Sequence, residues 1–156
     1  MISINGTVHT MDISELGKEA KLSPYKFAER TAIDLRLVKN DTEQLRRMIK
    51  WVTLQPIKYP CYKSDMLRKI GENWSTKHRH ICLYYHTKCR NNKAKCPYLR
   101  LYNDFCFNMK EWKSLHRARD WGTWYKAARE ALKLSNRTIR TLQMQLDKIV
   151  ALCHNY

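Results

Sequence analysis

Glycine and proline are scarce in this chain of 156 residues, which contains four of each. Flexible linkers and low-complexity segments are rich in these residues, so we expect a single domain over residues 1–156. Rossmann and P-loop nucleotide sites need clustered glycines, and the sequence has no such cluster. No apolar run approaches the roughly 20 residues of a transmembrane helix. No secretory signal is visible, which predicts a cytoplasmic protein of a prokaryote or a virus-infected host cell, or a nuclear protein of a eukaryote.

Acidic residues are also scarce, above all in the middle of the chain. The 30 Lys and Arg residues outnumber the 14 Asp and Glu residues, which gives a net charge of +16. Between Glu72 and Asp104 there is no acidic residue at all. A charge of this size repels itself in a folded protein and favours an acidic partner, such as DNA, RNA, an anionic membrane or an acidic protein.

Tyrosines alternate with lysines and arginines in the basic, Cys- and His-rich segment 74–110. Cations bind phosphates and aromatic rings stack on bases, so this pattern favours nucleic acid, although the same rings would also fit a core. The tyrosines are Tyr84, Tyr85, Tyr98 and Tyr102. The predicted nucleic-acid contacts, two of them nearer the N-terminus, are Lys26, Arg30, Lys77, Arg79, Lys88, Arg90, Lys93, Lys95 and Arg100.

The first 40 residues predict a short β-hairpin followed by a pair of helices. Residues 3–8 place Asn-Gly between β-branched residues, which is typical of a type I′ hairpin. Residues 16–30 then predict a short helix, a tight turn and a second helix capped by Ser23. Within them, Ala-Lys-Leu-Ser-Pro-Tyr-Lys-Phe-Ala at 20–28 resembles the helix-turn-helix of AraC-type transcription activators. The resemblance implies that the second helix reads the major groove of DNA. The alternative is that the two helices only stabilise the fold and do not read DNA.

Hydrophobic periodicity predicts a mainly α-helical bundle beyond this region. Residues 91–102 are predicted to be a loop with a turn at Cys96-Pro97. The tryptophans and neighbouring apolar residues of the C-terminal segment 108–156 favour a core over an interface. The predicted helices cover approximately residues 24–33, 40–54, 64–70, 76–90, 108–117, 120–134 and 135–153.

The last predicted helix carries a single apolar stripe, which some other helix must cover. One candidate is the preceding helix, folded back through a short turn at Ser135. The other is the same helix of a second chain, so the protein is predicted to be a monomer or a homodimer. The stripe consists of Ile139, Leu142, Leu146, Ile149 and Cys153.

The cysteines and histidines of the middle segment predict one structural zinc ion. Disulfides are not expected without a secretory signal. On a helix, ligands four residues apart share one face, and later cysteines could complete a tetrahedron. By ligand type alone, this arrangement is similar to TAZ-type zinc modules. Buried thiols that pack like small apolar residues are the alternative, and an iron–sulfur cluster is a third interpretation. The predicted metal ligands are Cys82, His86, Cys89, Cys96 and Cys106.

Few carboxylates lie in the chain, so we expect a protein that is not an enzyme. A nuclease site built from Glu72, His78, His80 and Asn92 lacks the hairpin-and-helix pattern such sites require. The leading hypothesis is a nucleic-acid-binding regulator of transcription that contacts duplex DNA through Lys and Arg, with no membrane partner. The alternative is a small basic viral or mobile-element protein that inhibits a host protein machine. An RNA-binding accessory protein is the third hypothesis.

Overall fold

The computed structural model describes residues 3–4, 8–9, 24–70, 79–85, 96–103 and 108–154. This part of the chain is mainly α-helical, as predicted. Each of its helices is too short or too polar to cross a membrane. The elements are β1 Ser3–Ile4, β2 Val8–His9, α1 Pro24–Val52, α2 Lys63–Ile70, α3 His80–Tyr84, α4 Pro97–Tyr102, α5 Lys110–Arg117 and α6 Trp121–His154.

The two short strands pair in antiparallel orientation, with Ser3 opposite His9 and Ile4 opposite Val8. The connection at 5–7 lies outside the described residues, so the type I′ hairpin stays a prediction. The same holds for residues 10–23, which carry the first helix and the turn of the segment that resembles a helix-turn-helix.

Two long helices, α1 and α6, form the frame of the structure and run antiparallel. Phe27 near the start of α1 packs against Ile149 near the end of α6. At the opposite end, the rings of Trp51 and Trp121 meet edge to face with centroids 5.3 Å apart. Because α1 has 29 residues, the frame is roughly 40 Å long.

Helix α1 is continuous where the sequence predicted a break near residue 40, so that prediction was wrong. No glycine or proline follows Pro24 within the helix. The carboxylate of Asp41, next to the position where a second helix was predicted to begin, caps the start of α3. Its Oδ1 accepts a hydrogen bond from the backbone N–H of His80 at 2.6 Å, and its Oδ2 accepts one from Ile81 at 3.0 Å.

Helix α6 is likewise continuous through Ser135, which is buried in its middle, so the predicted hairpin of two helices was wrong. The apolar stripe is covered by α1, an intramolecular partner that was not among the predicted ones. Leu142 and Ile149 are fully buried, and the other members of the stripe are partly buried. The stripe is therefore covered within one chain.

Residues 97–102 form helix α4 where a loop was predicted. Pro97 occupies the first helical position, which its fixed φ angle suits, and Cys96 precedes it in extended conformation. Asn103 ends the helix in the left-handed region with φ 56°. Helices α2 and α5 confirm the predicted bounds to within two residues.

The C-terminal tryptophans form part of the core, as predicted. Trp112, Trp121 and Trp124 are all buried, and Leu115 of α5 is buried with them. The rings of Trp121 and Trp124 meet edge to face with centroids 6.3 Å apart. Aromatic burial of this size anchors α5 against the start of α6.

Candidate nucleic-acid interface

The predicted nucleic-acid contacts divide between residues that the structure describes and residues that it does not. Lys26 is exposed on the first turn of α1. Arg30 is half-buried, and its guanidinium lies 5.0 Å from the ring centroid of Phe27. Those outside the described residues are Lys77, Lys88, Arg90, Lys93 and Lys95.

Two of the predicted nucleic-acid contacts, Arg79 and Arg100, point into the protein, so their assignment as contacts was wrong. Arg79 is only 1% exposed. Its guanidinium lies 3.9 Å from the ring centroid of Trp112 and 4.9 Å from that of Tyr98, which is cation–π geometry. The side chain of Arg100 is 7% exposed, and its Nη2 lies 3.4 Å from Oδ2 of Asp34. In this structure both cations serve the interior and are not available to phosphates.

The interior also holds two carboxylates, which bind segment 79–102 to α1. Asp34 accepts a hydrogen bond from the hydroxyl of Tyr85 at 2.5 Å and pairs with Arg100. Burial raises the pKa of Asp34, and the neighbouring Arg100 opposes that rise. Burial also raises the pKa of Asp41, against the hydrogen bonds from Ile81 and His80. These polar groups position the middle segment and offer no open site.

Most of the tyrosines that alternate with cations in the middle segment belong to the core. Tyr85, Tyr98 and Tyr102 are buried, and the hydroxyl of Tyr102 lies 2.7 Å from Oγ1 of Thr138. Tyr84 is exposed. Of the two interpretations left open for these rings, a place in the core is therefore correct for three of the four.

The predicted zinc ligands are only partly within the described residues. Cys82 is half-buried in α3, and Cys96 is buried just before α4. His86, Cys89 and Cys106 lie outside the described residues. Among the residues that are described, no three His, Cys, Asp or Glu side chains come together as a metal site. The zinc ion stays a prediction.

A different surface, which was not predicted from the sequence, lies at the end of the frame where α1 stops and α6 begins. The loop at 53–62 follows α1 and packs along residues 116–120, which end α5 and lead into α6. We call these two stretches together the loop platform. Three backbone hydrogen bonds hold it, from Cys61 N–H to Arg119 O (2.9 Å), from Trp121 N–H to Tyr59 O (3.1 Å) and from Gly122 N–H to Ile57 O (2.9 Å).

Gly122 permits the close approach of the loop to α6. A Cβ atom at this position would collide with Cγ2 of Ile57 and would also approach the carbonyl oxygen of Ile57. Glycine is unfavourable inside a helix relative to alanine, so its presence in the first turn of α6 fits a packing requirement.

The loop platform displays aromatic and apolar side chains to solvent. Tyr59 is 62% exposed and Tyr62 is 60% exposed. Leu54 and Ile57 are also exposed. In the sequence, the exposed Lys58 stands between Ile57 and Tyr59. Contiguous exposed apolar patches are a common feature of surfaces that contact other molecules, which makes this surface a candidate site.

Cations line two open depressions that adjoin one another at Arg117. The first has a volume of about 480 Å³ and is lined by Lys110, Lys113 and Arg117 among others. The second, of about 790 Å³, is lined by His116, Arg117 and Arg119 together with residues of the loop. None of the residues that line either depression in the described structure is acidic.

Charged groups beside the depressions are held in place by the surrounding backbone. Lys63 Nζ donates a hydrogen bond to the carbonyl oxygen of His116 at 2.6 Å, and partial burial lowers the pKa of Lys63. The carboxylate of Asp120 accepts the backbone N–H of Thr123 at 2.7 Å and its hydroxyl at 3.0 Å. These bonds lower the pKa of Asp120, which caps the start of α6.

Burial raises the pKa of the Cys61 thiol to about 11, so this thiol is protonated at neutral pH.

The chain matches no protein-family model, no curated protein and no solved structure. The resemblance of residues 16–30 to AraC-type activators therefore stays a prediction.

One signal in the sequence could have identified the loop platform. Pro56 and Pro60 interrupt the helices, and between and after them two tyrosines alternate with Lys58 and Lys63. The same alternation of rings and cations occurs in segment 74–110, where the structure buries three of the four tyrosines. Prolines keep the loop out of a helix, and its rings therefore do not join the apolar face of one.

Proposed function

We propose that this protein binds nucleic acid without catalysis and that the loop platform contacts the phosphate backbone. The observation that carries the proposal is the pair of adjoining depressions whose lining, within the described residues, includes Lys and Arg and no acidic side chain. Arg117 lines both depressions, so it is the cation that we place at the centre of the phosphate contact. A guanidinium presents parallel N–H groups that match the oxygens of a phosphate, which makes arginine the favoured residue for this contact.

The charge of the whole chain supports the same partner. With a net charge of +16, the protein attracts polyanions over distances beyond direct contact, and this attraction weakens as salt screens it. Each phosphate contact also releases condensed counterions, so the affinity falls with salt in proportion to the number of contacts.

We further propose that the nucleic acid is duplex DNA and that the protein regulates transcription. The resemblance of residues 16–30 to a helix-turn-helix supports both proposals, with Lys26 and Arg30 as the contacts at that end of the protein. These two residues lie roughly 40 Å from the loop platform, since α1 separates them. A cytoplasmic or nuclear location belongs to the same proposal.

Neutralising cations that line the two depressions tests the proposal. A variant with Lys113→Gln, Arg117→Gln and Arg119→Gln should bind DNA more weakly than the wild type. On duplex DNA, its slope of log affinity against log salt should be shallower by about 0.9 for each phosphate that is no longer neutralised, up to about 3 units in total. Fluorescence anisotropy over a salt series measures both quantities.

A control variant of equal charge separates local contact from loss of net charge. Arg36→Gln, Lys39→Gln and Arg140→Gln remove two arginines and one lysine from exposed positions in the middle of α1 and α6. We expect this variant to keep most of the wild-type slope. Equal decreases in the two variants would show that the loop platform has no special role.

Exposed apolar side chains favour a second candidate function, the inhibition of a host protein machine. Leu54 and Ile57 lie exposed on the same surface as the cations, and such a patch suits a protein partner. Binding of this kind depends less on salt than binding to phosphates does. Absence of any salt-dependent binding to DNA or RNA would favour this second function over the first.

A further inference from the structure

The two exposed tyrosines of the loop platform are attached to backbone that is fixed in place. The carbonyl oxygen of Tyr59 accepts a hydrogen bond from the N–H of Trp121 at the start of α6. The carbonyl oxygen of Tyr62 accepts the N–H groups of Asp65 and Met66, in the first turn of α2. Both rings therefore project into solvent from positions that the fold determines.

Tyr62 also lies within reach of the phosphate-binding cations. It lines the same depression as Arg117 and Arg119. An aromatic ring beside cations in one depression matches the two chemical parts of a nucleotide, its flat base and its phosphate.

A paired base is covered on both faces by its neighbours in the duplex, whereas an unpaired base exposes a face on which a ring can stack. A ring that is 60% exposed gains little from the outside of a duplex, where sugars and phosphates are presented. Tyrosines used for stacking hence favour a single strand, a loop or a frayed end over intact duplex.

We infer that the loop platform binds unpaired nucleotides, whose bases stack on Tyr59 and Tyr62 while Arg117 and Arg119 hold the phosphates. This inference rests on the proposed binding of nucleic acid and names the form that the loop platform takes, whereas the duplex contacts proposed above lie at Lys26 and Arg30. Unpaired DNA and unpaired RNA share the chemistry, so the site accepts either.

The test compares the full-length wild type with a Tyr59→Ala, Tyr62→Ala variant by fluorescence anisotropy. The probes are oligo-dT, oligo-rU and a duplex of equal length, all longer than the roughly 4–16 nucleotides of a typical single-strand site. We expect the affinity of the variant for both single strands to fall by at least about fivefold per ring, the lower end of stacking contributions, and its affinity for the duplex to fall by less than about twofold.

A matched control keeps the rings and removes only the hydroxyl groups. The Tyr59→Phe, Tyr62→Phe variant should bind oligo-dT within about twofold of the wild type, because stacking needs the ring and not the hydroxyl. Circular dichroism of both variants checks that their folds are intact, as expected for exposed positions. The single variants Tyr59→Ala and Tyr62→Ala, tested separately, assign the decrease to one ring or both.

The outcomes separate the inference from the proposed function. A decrease confined to the single strands, restored by phenylalanine, supports the inference, and tighter binding of oligo-rU than of oligo-dT would identify RNA as the preferred source. Equal or absent effects of the alanine variant on single strands and duplex would overturn the inference and leave the proposed function standing. If the wild type binds none of the three probes at low salt, the proposed function falls as well.

Discussion

Leu142 lies fully buried in the middle of α6, on the stripe that α1 covers, and its truncation measures how much this helix pair stabilises the protein. Leu→Ala substitutions in cores cost about 2–5 kcal/mol, because transfer free energy is forfeited and a cavity remains. Because no part of Leu142 reaches solvent, we expect Leu142→Ala to fall in the middle of this range, at about 3–4 kcal/mol.

Urea denaturation followed by circular dichroism measures this destabilisation. With a denaturant slope of about 2 kcal/mol per molar, a destabilisation of about 3–4 kcal/mol lowers the urea midpoint by about 1.5–2 M. A thermal melt should show a decrease in Tm of roughly 6–16 °C for a chain of this size.

Met144 provides the control, since it lies two residues further along α6 and is exposed. Met144→Ala should change the free energy of unfolding by less than about 0.5 kcal/mol. Equal costs at the two positions would refute the packing of α1 against this face of α6.

Ser135→Pro tests the continuity of α6 at the position where the sequence predicted a turn. Inside a helix, proline removes a backbone hydrogen bond and clashes with the preceding turn, at a cost of about 3 kcal/mol or more. A turn between two helices would accept proline at little cost. Wild-type stability of Ser135→Pro in a urea melt would restore the hairpin that the structure contradicts.

Three further predictions concern the loop platform, a buried carboxylate and the cysteines. Gly122→Ala should lower the Tm because its Cβ meets Ile57, and adding Ile57→Ala should restore it; a Tm raised by Gly122→Ala alone would contradict the close approach. Burial raises the pKa of Asp41, so the folded state binds this proton more readily than the unfolded state does. The free energy of unfolding of the wild type, relative to that of Asp41→Asn, should therefore increase as the pH falls through that raised pKa. Urea melts of both proteins at about pH 7 and pH 4 measure this difference. A smaller difference at pH 4 than at pH 7 would contradict the raised pKa. Metal analysis of protein purified without chelator should find about one zinc per chain, with Cys96→Ser and Cys106→Ser each lowering the Tm, whereas metal-free protein with titratable thiols would favour simple packing.

Helix positions were largely predictable from the sequence because apolar periodicity and proline act locally. Pro24 starts α1, and the predicted short helix before residue 71 matches α2 to within one residue. The continuity of α1 near residue 40 and of α6 at Ser135 was not predicted, because Asp41 and Ser135 are residue types that commonly begin helices. Neither has a glycine or a proline nearby, and that absence was the available evidence for unbroken helices.

Site residues were less predictable because exposure depends on contacts between distant parts of the chain. Arg79 and Arg100 belong to a segment rich in cations, yet tertiary packing places one between two rings and the other against Asp34. Sequence alone does not show that the rings they accompany are buried. Conversely, Tyr59 and Tyr62 are exposed because the loop that carries them is tied to α6 through its backbone, a contact without local signature.

The antiparallel pairing of α1 with α6 has a consequence for how the chain folds during synthesis. The hydrogen bond from Arg46 to Asn136 spans 90 residues, and the other contacts between these helices also join distant parts of the chain. At a translation rate of roughly 5–20 residues per second, about 5–20 seconds pass between the synthesis of α1 and the synthesis of the part of α6 that covers its apolar side. Such contacts of high sequence separation slow folding and expose the nascent helix to aggregation or chaperone binding. We therefore expect the folding of α1 to be governed by the arrival of the last helix from the ribosome.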